Sequence, residues 1–324
     1  MTQAWGKVKE KEWYQGCPLS ELCCVSEAPT QPPVTETDKV FFRKTLMEAC
    51  PDSALSLHAR RKRKTLSTPQ QTQRVDDSAS RVVMRTCEPL YNRAEALTDQ
   101  FYLDVISLSY EDSVKLCREP QGSAEWKQAR RVRITASECY TLYTAQSGFK
   151  DKFARITSGK FKGCAATSYG SEMESRARAL YESVRCKKVQ QCGLVVPPMM
   201  PWVGCSPDGI VEEDGGLVLL ELKCPALCKD ESLVSVLQRN RLPYLRLEGE
   251  NLTLKKKHKY YAQVQLTLAI LDLDVCDFCV YDGSEDEVHI IQVKRDRAFC
   301  CALVQKLGEV YFSHILPHLK RYAP

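Results

Sequence analysis

The residues with the densest chemistry in this 324-residue chain lie between Gly204 and Pro225, in the run GCSPDGIVEEDGGLVLLELKCP. Two apolar segments flank the glycine-containing loop EEDGG, which reads as a β-hairpin. A register that pairs Val211 with Val218 also sets Asp208 opposite Glu221, and directly opposed residues hold their Cβ atoms about 5 Å apart. Two carboxylates at that separation repel unless a cation lies between them or one is protonated. The two-residue period of a strand puts Glu221 and Lys223 on one face. Their neighbours are Leu217, Val218, Leu219, Leu220 and Leu222, among which unpaired charges are costly. One spot therefore offers two carboxylates and an ammonium. A few hard oxygen donors suit Mg²⁺, which keeps several waters and can activate one of them while binding a phosphate oxygen. The lysine can orient or deprotonate that water, or neutralise charge on the phosphate. The chemistry implied is phosphodiester hydrolysis. In the Pro207–Asp208–Gly209 turn, proline fixes the approach and glycine lets the backbone turn away after the ligand. The plainer alternative is an exposed hairpin with a Glu221–Lys223 surface ion pair.

Several elements must hold that hairpin in place. Apolar residues at Ala94, Leu97, Phe101, Val105 and Leu108 have helical spacing over Arg93–Leu108. Ser109, followed by Glu111 and Asp112, has the form of a capped helix start. Ser123–Arg131 also reads as helical, and a further helix is expected from about Thr135–Ser137. Tyr169–Val184 carries a stripe of Gly170, Glu174, Ala177 and Tyr181 on one helix face. Leu194–Val203 reads as an irregular strand and His258–Leu271 as an apolar helix. Cys276–Asp282 and Val288–Arg295 read as strands, and a last helix runs from about Ala298 to His314. Gln238–Lys257 is a long connection whose basic residues could follow a nucleic-acid backbone; a surface loop is the duller reading.

Composition bounds the rest. Hydrophobic residues make up 44% and the net charge is +5, which suits a globular protein and permits a nucleic-acid partner. No apolar run reaches the roughly 18 residues of a membrane helix, and the charged start lacks a secretory segment. The 17 cysteines are then expected to be reduced thiols in an intracellular protein, mostly small buried hydrophobes. Cys276 and Cys279 form one CxxC without the second pair that structural zinc needs, and His314 and His318 lack an acidic third ligand. Residues 1–80 are polar and low in complexity, so disorder is expected there. Their basic run Arg60–Lys64 is read equally as a nuclear address, a nucleic-acid patch or a solvated tract. Residues 81–105 form a helical lead-in and 106–324 an α/β domain.

Four blocks, in order, resemble the phage lambda exonuclease / YqaJ viral recombinase family of the PD-(D/E)XK nuclease superfamily. They are Trp126–Ser137 (WKQARRVRITAS), Tyr169–Glu182 (YGSEMESRARALYE), Cys205–Pro225 (CSPDG…LELKCP) and Tyr260–Gln265 (YYAQVQ). The resemblance implies a restriction-endonuclease-like core, a mixed central β-sheet flanked by helices. It implies metal ligation by Asp208, Glu221 and the Leu222 backbone carbonyl, with Glu174 in support and Lys223 as the catalytic lysine. It puts a terminal-phosphate pocket on Arg130 and Ser137, helped by Ser206 and Gln263. Each has a plainer reading: a solvated arginine cluster, a helix cap, an exposed helix acid, an amide bonded in the core. The function implied is Mg²⁺-dependent exonucleolysis from a duplex DNA end in recombination or repair, with Mn²⁺ expected to substitute and a single-strand-annealing protein a candidate partner. The alternatives are a silent DNA-binding or recruitment protein that keeps the fold, or an endonuclease or nickase. Strand polarity and oligomeric state are not readable from the sequence.

Overall fold

The computed structural model describes residues 78–84, 98–158, 164–213, 216–249 and 251–322. All lie in one compact unit, Arg74–Pro324. The expectations for residues 1–77, with the basic run Arg60–Lys64, and for residues 85–97 fall outside the described residues.

Helix α1 (Ser78–Met84) is followed by a π-helical turn at Tyr102–Ile106, α2 (Tyr110–Arg118) and α3 (Ala124–Arg130). The Ser109 and Ser123 hydroxyls cap α2 and α3 by accepting from the N–H groups of Asp112 and Trp126. Where a helix start was expected, Ile134–Thr135 forms a short strand, β1, and α4 begins only at Cys139 (Cys139–Tyr143). Two β-branched residues favour that outcome. Next come α5 (Phe149–Thr157), the long α6 (Ala165–Arg185), β2 (Val189–Gln190) and β3 (Val203–Gly204). The hairpin is β4 (Gly209–Glu213) and β5 (Gly216–Lys223). After α7 (Leu233–Gln238), the supposed connection contains its own hairpin, β6 (Leu245–Glu248) and β7 (Asn251–Leu254). Helix α8 (Lys259–Leu271), β8 (Val275–Asp282), β9 (Glu287–Lys294) and α9 (Arg297–Val310) follow. The last helix does not stop near His314: it passes through a π-helical turn at Tyr311–Ile315 into α10 (Leu316–Tyr322). Pro317 lies just after that π-helical turn, inside the continuous helix.

The main sheet has the order β2-β4-β5-β8-β9, antiparallel except for the parallel β5–β8 pair. That parallel pair requires a long crossover, supplied by α7, β6–β7 and α8. One face of the sheet, with Leu219, Phe278 and Ile291, packs into the main core with Val264 and Leu268 of α8 and Leu303 and Leu307 of α9. The other face, with Val211, Leu220 and Cys279, packs against Ala177 and Tyr181 of α6. The chain is thus the expected α/β arrangement, a mixed central sheet between helices. Helix α8 is apolar all round because it is buried all round. Cys276 and Cys279 point to opposite faces of the sheet, so they do not share a ligand. Among the described residues no helix is long and apolar enough to cross a membrane.

Candidate active site

The hairpin takes the register read from the sequence: Val211 faces Val218, and the ladder ends where Gly209 faces Leu220. One step further, Asp208 leaves the ladder and its carboxylate accepts from the Leu222 N–H at 2.7 Å. Gly209 is not there for a left-handed turn, since its φ is not positive. It is required because a Cβ would lie 2.1 Å from Cγ1 of Val189 on β2. Close packing of β2 against the hairpin therefore fixes where Asp208 begins.

Glu221 is 1% exposed. Its carboxylate accepts from the Lys223 ammonium and from the Gln263 side-chain amide on α8. The Lys223 ammonium also donates to the Leu222 carbonyl at 3.0 Å and stands 4.8 Å from the centre of the Tyr260 ring. Burial, opposed by Lys223 and reinforced by the Asp208 and Glu174 carboxylates, pushes the Glu221 carboxyl up to about 7. Burial pulls Lys223 down, but Glu221 and Asp208 outweigh it and hold the ammonium above the ordinary lysine range. Glu174, on α6, is raised first by burial and then by Asp208, so it lies within electrostatic reach of the pair. Its carboxylate is turned to Arg178, one helical turn on.

Asp208, Glu221 and the Leu222 carbonyl thus form one cluster of hard oxygen atoms in which like charges crowd. Such a donor set fits Mg²⁺ or Mn²⁺. A cation already sits there, because the Lys223 ammonium occupies both Glu221 and the Leu222 carbonyl. Among the described residues no three His, Cys, Asp or Glu side chains close into a metal cage. The reason is visible in the partners: Glu174 is engaged by Arg178 and Glu221 by Lys223 and Gln263.

A second cluster adjoins the first. Strand β1 pairs parallel with β3, and the Ala136 N–H donates to the Gly204 carbonyl at 2.9 Å, which draws Ser137 toward the segment leading to Asp208. Arg130 at the end of α3 donates to the Ser137 hydroxyl at 3.1 Å, and its guanidinium carbon lies 4.2 Å over the Trp126 ring. The Trp126 indole N–H donates to the Ser206 hydroxyl at 2.9 Å. Burial pulls Arg130 below its ordinary range, with Glu138 only partly opposing. No described carboxylate makes an ion pair with Arg130. A partly buried guanidinium beside a hydroxyl, paired with no described carboxylate, has the chemistry to accept an anion. The neighbouring arginines differ. Arg133 is buried, donating to the Ala129 and Ile106 carbonyls at 2.7 and 2.8 Å, and Arg131 is exposed.

The structure therefore brings together Asp208, Glu221, Leu222 and Lys223, and separately Arg130, Ser137 and Ser206. Gln263 joins the first group, through Glu221, rather than the Arg130 group. Two side chains had no role in the sequence reading: Trp126, which carries Arg130, and Tyr260, which faces Lys223. Each had a signal, an aromatic one turn from Arg130 and one a turn from Gln263.

The central mixed sheet carries an Asp208–Glu221–Lys223 cluster, with Glu221 buried, at the mouth of its hairpin. Residues 125–274 match the YqaJ-like viral recombinase domain, a span that contains the four sequence blocks. No curated protein sequence matches the chain. Among solved structures, it is similar to the LHK-Exo complex with dAMP, at 24% identity and a TM-score of 0.48 over 62% of this chain and 98% of that one. LHK-Exo is an alkaline exonuclease from Laribacter hongkongensis. A phage-related exonuclease from Haemophilus somnus is 13% identical, with a TM-score of 0.38 over 57% of this chain and 96% of that one. The shutoff and exonuclease protein of Kaposi's sarcoma-associated herpesvirus is 12% identical, with a TM-score of 0.37 over 59% of this chain and 68% of that one.

Proposed function

We propose that this chain is a divalent-metal-dependent DNA exonuclease that hydrolyses phosphodiester bonds from a duplex end, in recombination or repair. The observation that carries the reading is the cluster of Asp208, the buried Glu221 and Lys223, with the Arg130 guanidinium, which pairs with no described carboxylate, held on the segment next to it. Asp208, Glu221 and the Leu222 carbonyl are the groups to hold the ion, with Glu174 within reach. A bound Mg²⁺ supplies an activated water and a grip on a phosphate oxygen. Lys223 orients that water and offsets negative charge developing on the phosphate. Gln263 keeps the Glu221 carboxylate aimed. Arg130, presented flat by Trp126, and Ser137 bind the terminal phosphate, with Ser206 locking Trp126 in place.

Lys223→Ala and Asp208→Ala each are expected to lower digestion of linear duplex DNA by at least about 100-fold, the usual scale for loss of one proton-transfer or charge-stabilising group, with circular dichroism unchanged. Closed circular DNA is expected to resist the wild-type protein. Full activity in both variants would remove the assignment, and equal attack on circles would make the protein an endonuclease.

A further inference from the structure

Helix α8 meets the cluster with two side chains of its first turns, and only Gln263 has a role so far. Tyr260 lies one turn before it on the same face. Its ring is wedged edge-on between Tyr244 and His258, with centroids 4.9 Å away in both cases, and Phe278 of β8 lies 6.2 Å beyond. No described residue hydrogen-bonds the Tyr260 hydroxyl, so the ring itself makes the contacts. The Lys223 ammonium stands 4.8 Å from the centre of that ring. An ammonium has three donors. Here one serves Glu221 and one the Leu222 carbonyl, Asp208 adds its charge, and the Tyr260 ring lies within cation–π reach, a ring that the Lys259 ammonium also approaches at 5.3 Å.

From this geometry we infer that Tyr260 is a positioning residue for Lys223, holding its ammonium by a cation–π contact. The inference rests on the metal-dependent reading above. The two oxygen atoms that Lys223 now uses are the donors that a divalent ion would claim, whereas the ring face is not a donor such an ion competes for. Of the three anchors of Lys223, Tyr260 is the one compatible with a loaded site. The ring must act through its face, since electron density there, not the hydroxyl, attracts a cation.

The test replaces Tyr260 with phenylalanine, leucine and a series of phenylalanines carrying one, two and three ring fluorines, which drain the ring face and nearly keep its shape. Tyr260→Leu is expected to lower kcat on linear duplex DNA about tenfold, the scale of a desolvated cation–π contact, with KM little changed. Tyr260→Phe restores most of the loss. The fluorinated series lowers kcat stepwise, and it stays informative even if the leucine variant loosens the packing against Tyr244 and Phe278. A readout without metal or substrate accompanies it: in lysine-labelled protein the Lys223 ε-methylene protons carry an upfield ring-current shift that Tyr260→Leu abolishes and Tyr260→Phe keeps. A flat fluorinated series, or an unshifted ε-methylene signal in the wild type, overturns the role of Tyr260 while leaving the nuclease reading intact. An inactive wild type, or a fully active Lys223→Ala, removes the nuclease reading and the inference with it.

Discussion

The two ends of the β4–β5 hairpin carry the same residue types and do opposite things. At the loop end, Glu212 pairs with Arg81 at 3.1 Å, with both side chains about half exposed, at 56% and 48%. Glu213 pairs with Arg185, which reaches on to the buried Asp277 at 3.1 Å. At the open end, Glu221 is enclosed, Asp208 is tied to the β5 backbone, and the counter-charge is one shared ammonium. Water reaches Glu212 and Arg81 most freely, so that pair stores little energy, while Arg185 is shared between the part-buried Glu213 and the buried Asp277. Protein excludes water from the open end, so each charge there is felt by the others. Carboxylate content does not mark a site. What sets the open end apart is a buried carboxylate, Glu221, whose counter-charge also sits on a neighbouring backbone carbonyl.

The difference can be broken most forcefully at Lys223. Lys223→Met strips the buried Glu221 of its counter-charge and is expected to cost about 3 kcal/mol of stability, the scale for orphaning a buried charge. Adding Glu221→Leu should regain most of it, because an apolar pair of similar volume is often neutral or stabilising in such a position. Urea denaturation of the single and double variants measures both. A double variant no more stable than Lys223→Met would mean that the pair is not the coupled unit described here. Both variants should be inactive, which separates what the cluster does for stability from what it does for chemistry.

Much of this was legible in the residues. The hairpin register followed from matching apolar runs around EEDGG, and it placed Asp208 opposite Glu221 before any coordinates. The cap at Ser109 was equally plain, since a hydroxyl just before acidic residues at a helix start has few other uses. Features that depend on distant neighbours were not legible. Gly209 looked like a turn glycine, and only the arrival of Val189 shows it to be a packing glycine. Ile134–Thr135 looked like the approach to a helix until β3 recruited it. The cluster Arg130, Arg131, Arg133 could not be divided by sequence, because one arginine's burial against the Ile106 carbonyl is a tertiary fact. Gln263 was assigned to the phosphate pocket, whereas the pitch of α8 delivers it to Glu221.

Arg130 sharpens the comparison from the substrate side, as a cation with no carboxylate partner among the described residues. Arg130→Lys keeps the charge and loses the planar fork that suits a phosphate. It is expected to raise KM for DNA with phosphorylated ends about tenfold, the worth of one hydrogen bond to a charged group, and to leave dephosphorylated ends nearly unaffected. Steady-state digestion of the two substrates decides it. Equal effects on both would make Arg130 a general backbone contact.

A smaller effect is expected from pH at His258, whose Nδ1 accepts from the Tyr260 N–H at 3.2 Å and so caps α8. Burial lowers its pKa, with Lys259 and Lys255 adding to the shift, so the folded protein prefers the neutral ring. A depressed value contributes stability that is present above the ordinary 6.5 and is lost as pH falls through the folded-state value. The melting temperature should therefore decline on acidification below about pH 6.5. His258→Asn keeps a capping acceptor without a titrating group and should flatten that part of the pH profile. An unchanged slope would place the acid sensitivity elsewhere.

The smallest effect belongs to the loop end of the hairpin. Glu212→Gln removes a half-exposed ion pair with Arg81, and such pairs are worth about 0.2–1 kcal/mol and fade with salt. The melting temperature is expected to fall by no more than about 2 °C, given the entropy of unfolding of a domain this size, and nuclease activity should not change. In high salt the variant and the wild type should converge, as screening removes the attraction in both. A large loss of activity from Glu212→Gln would show that the loop end communicates with the buried cluster, and the contrast between the two ends would fail.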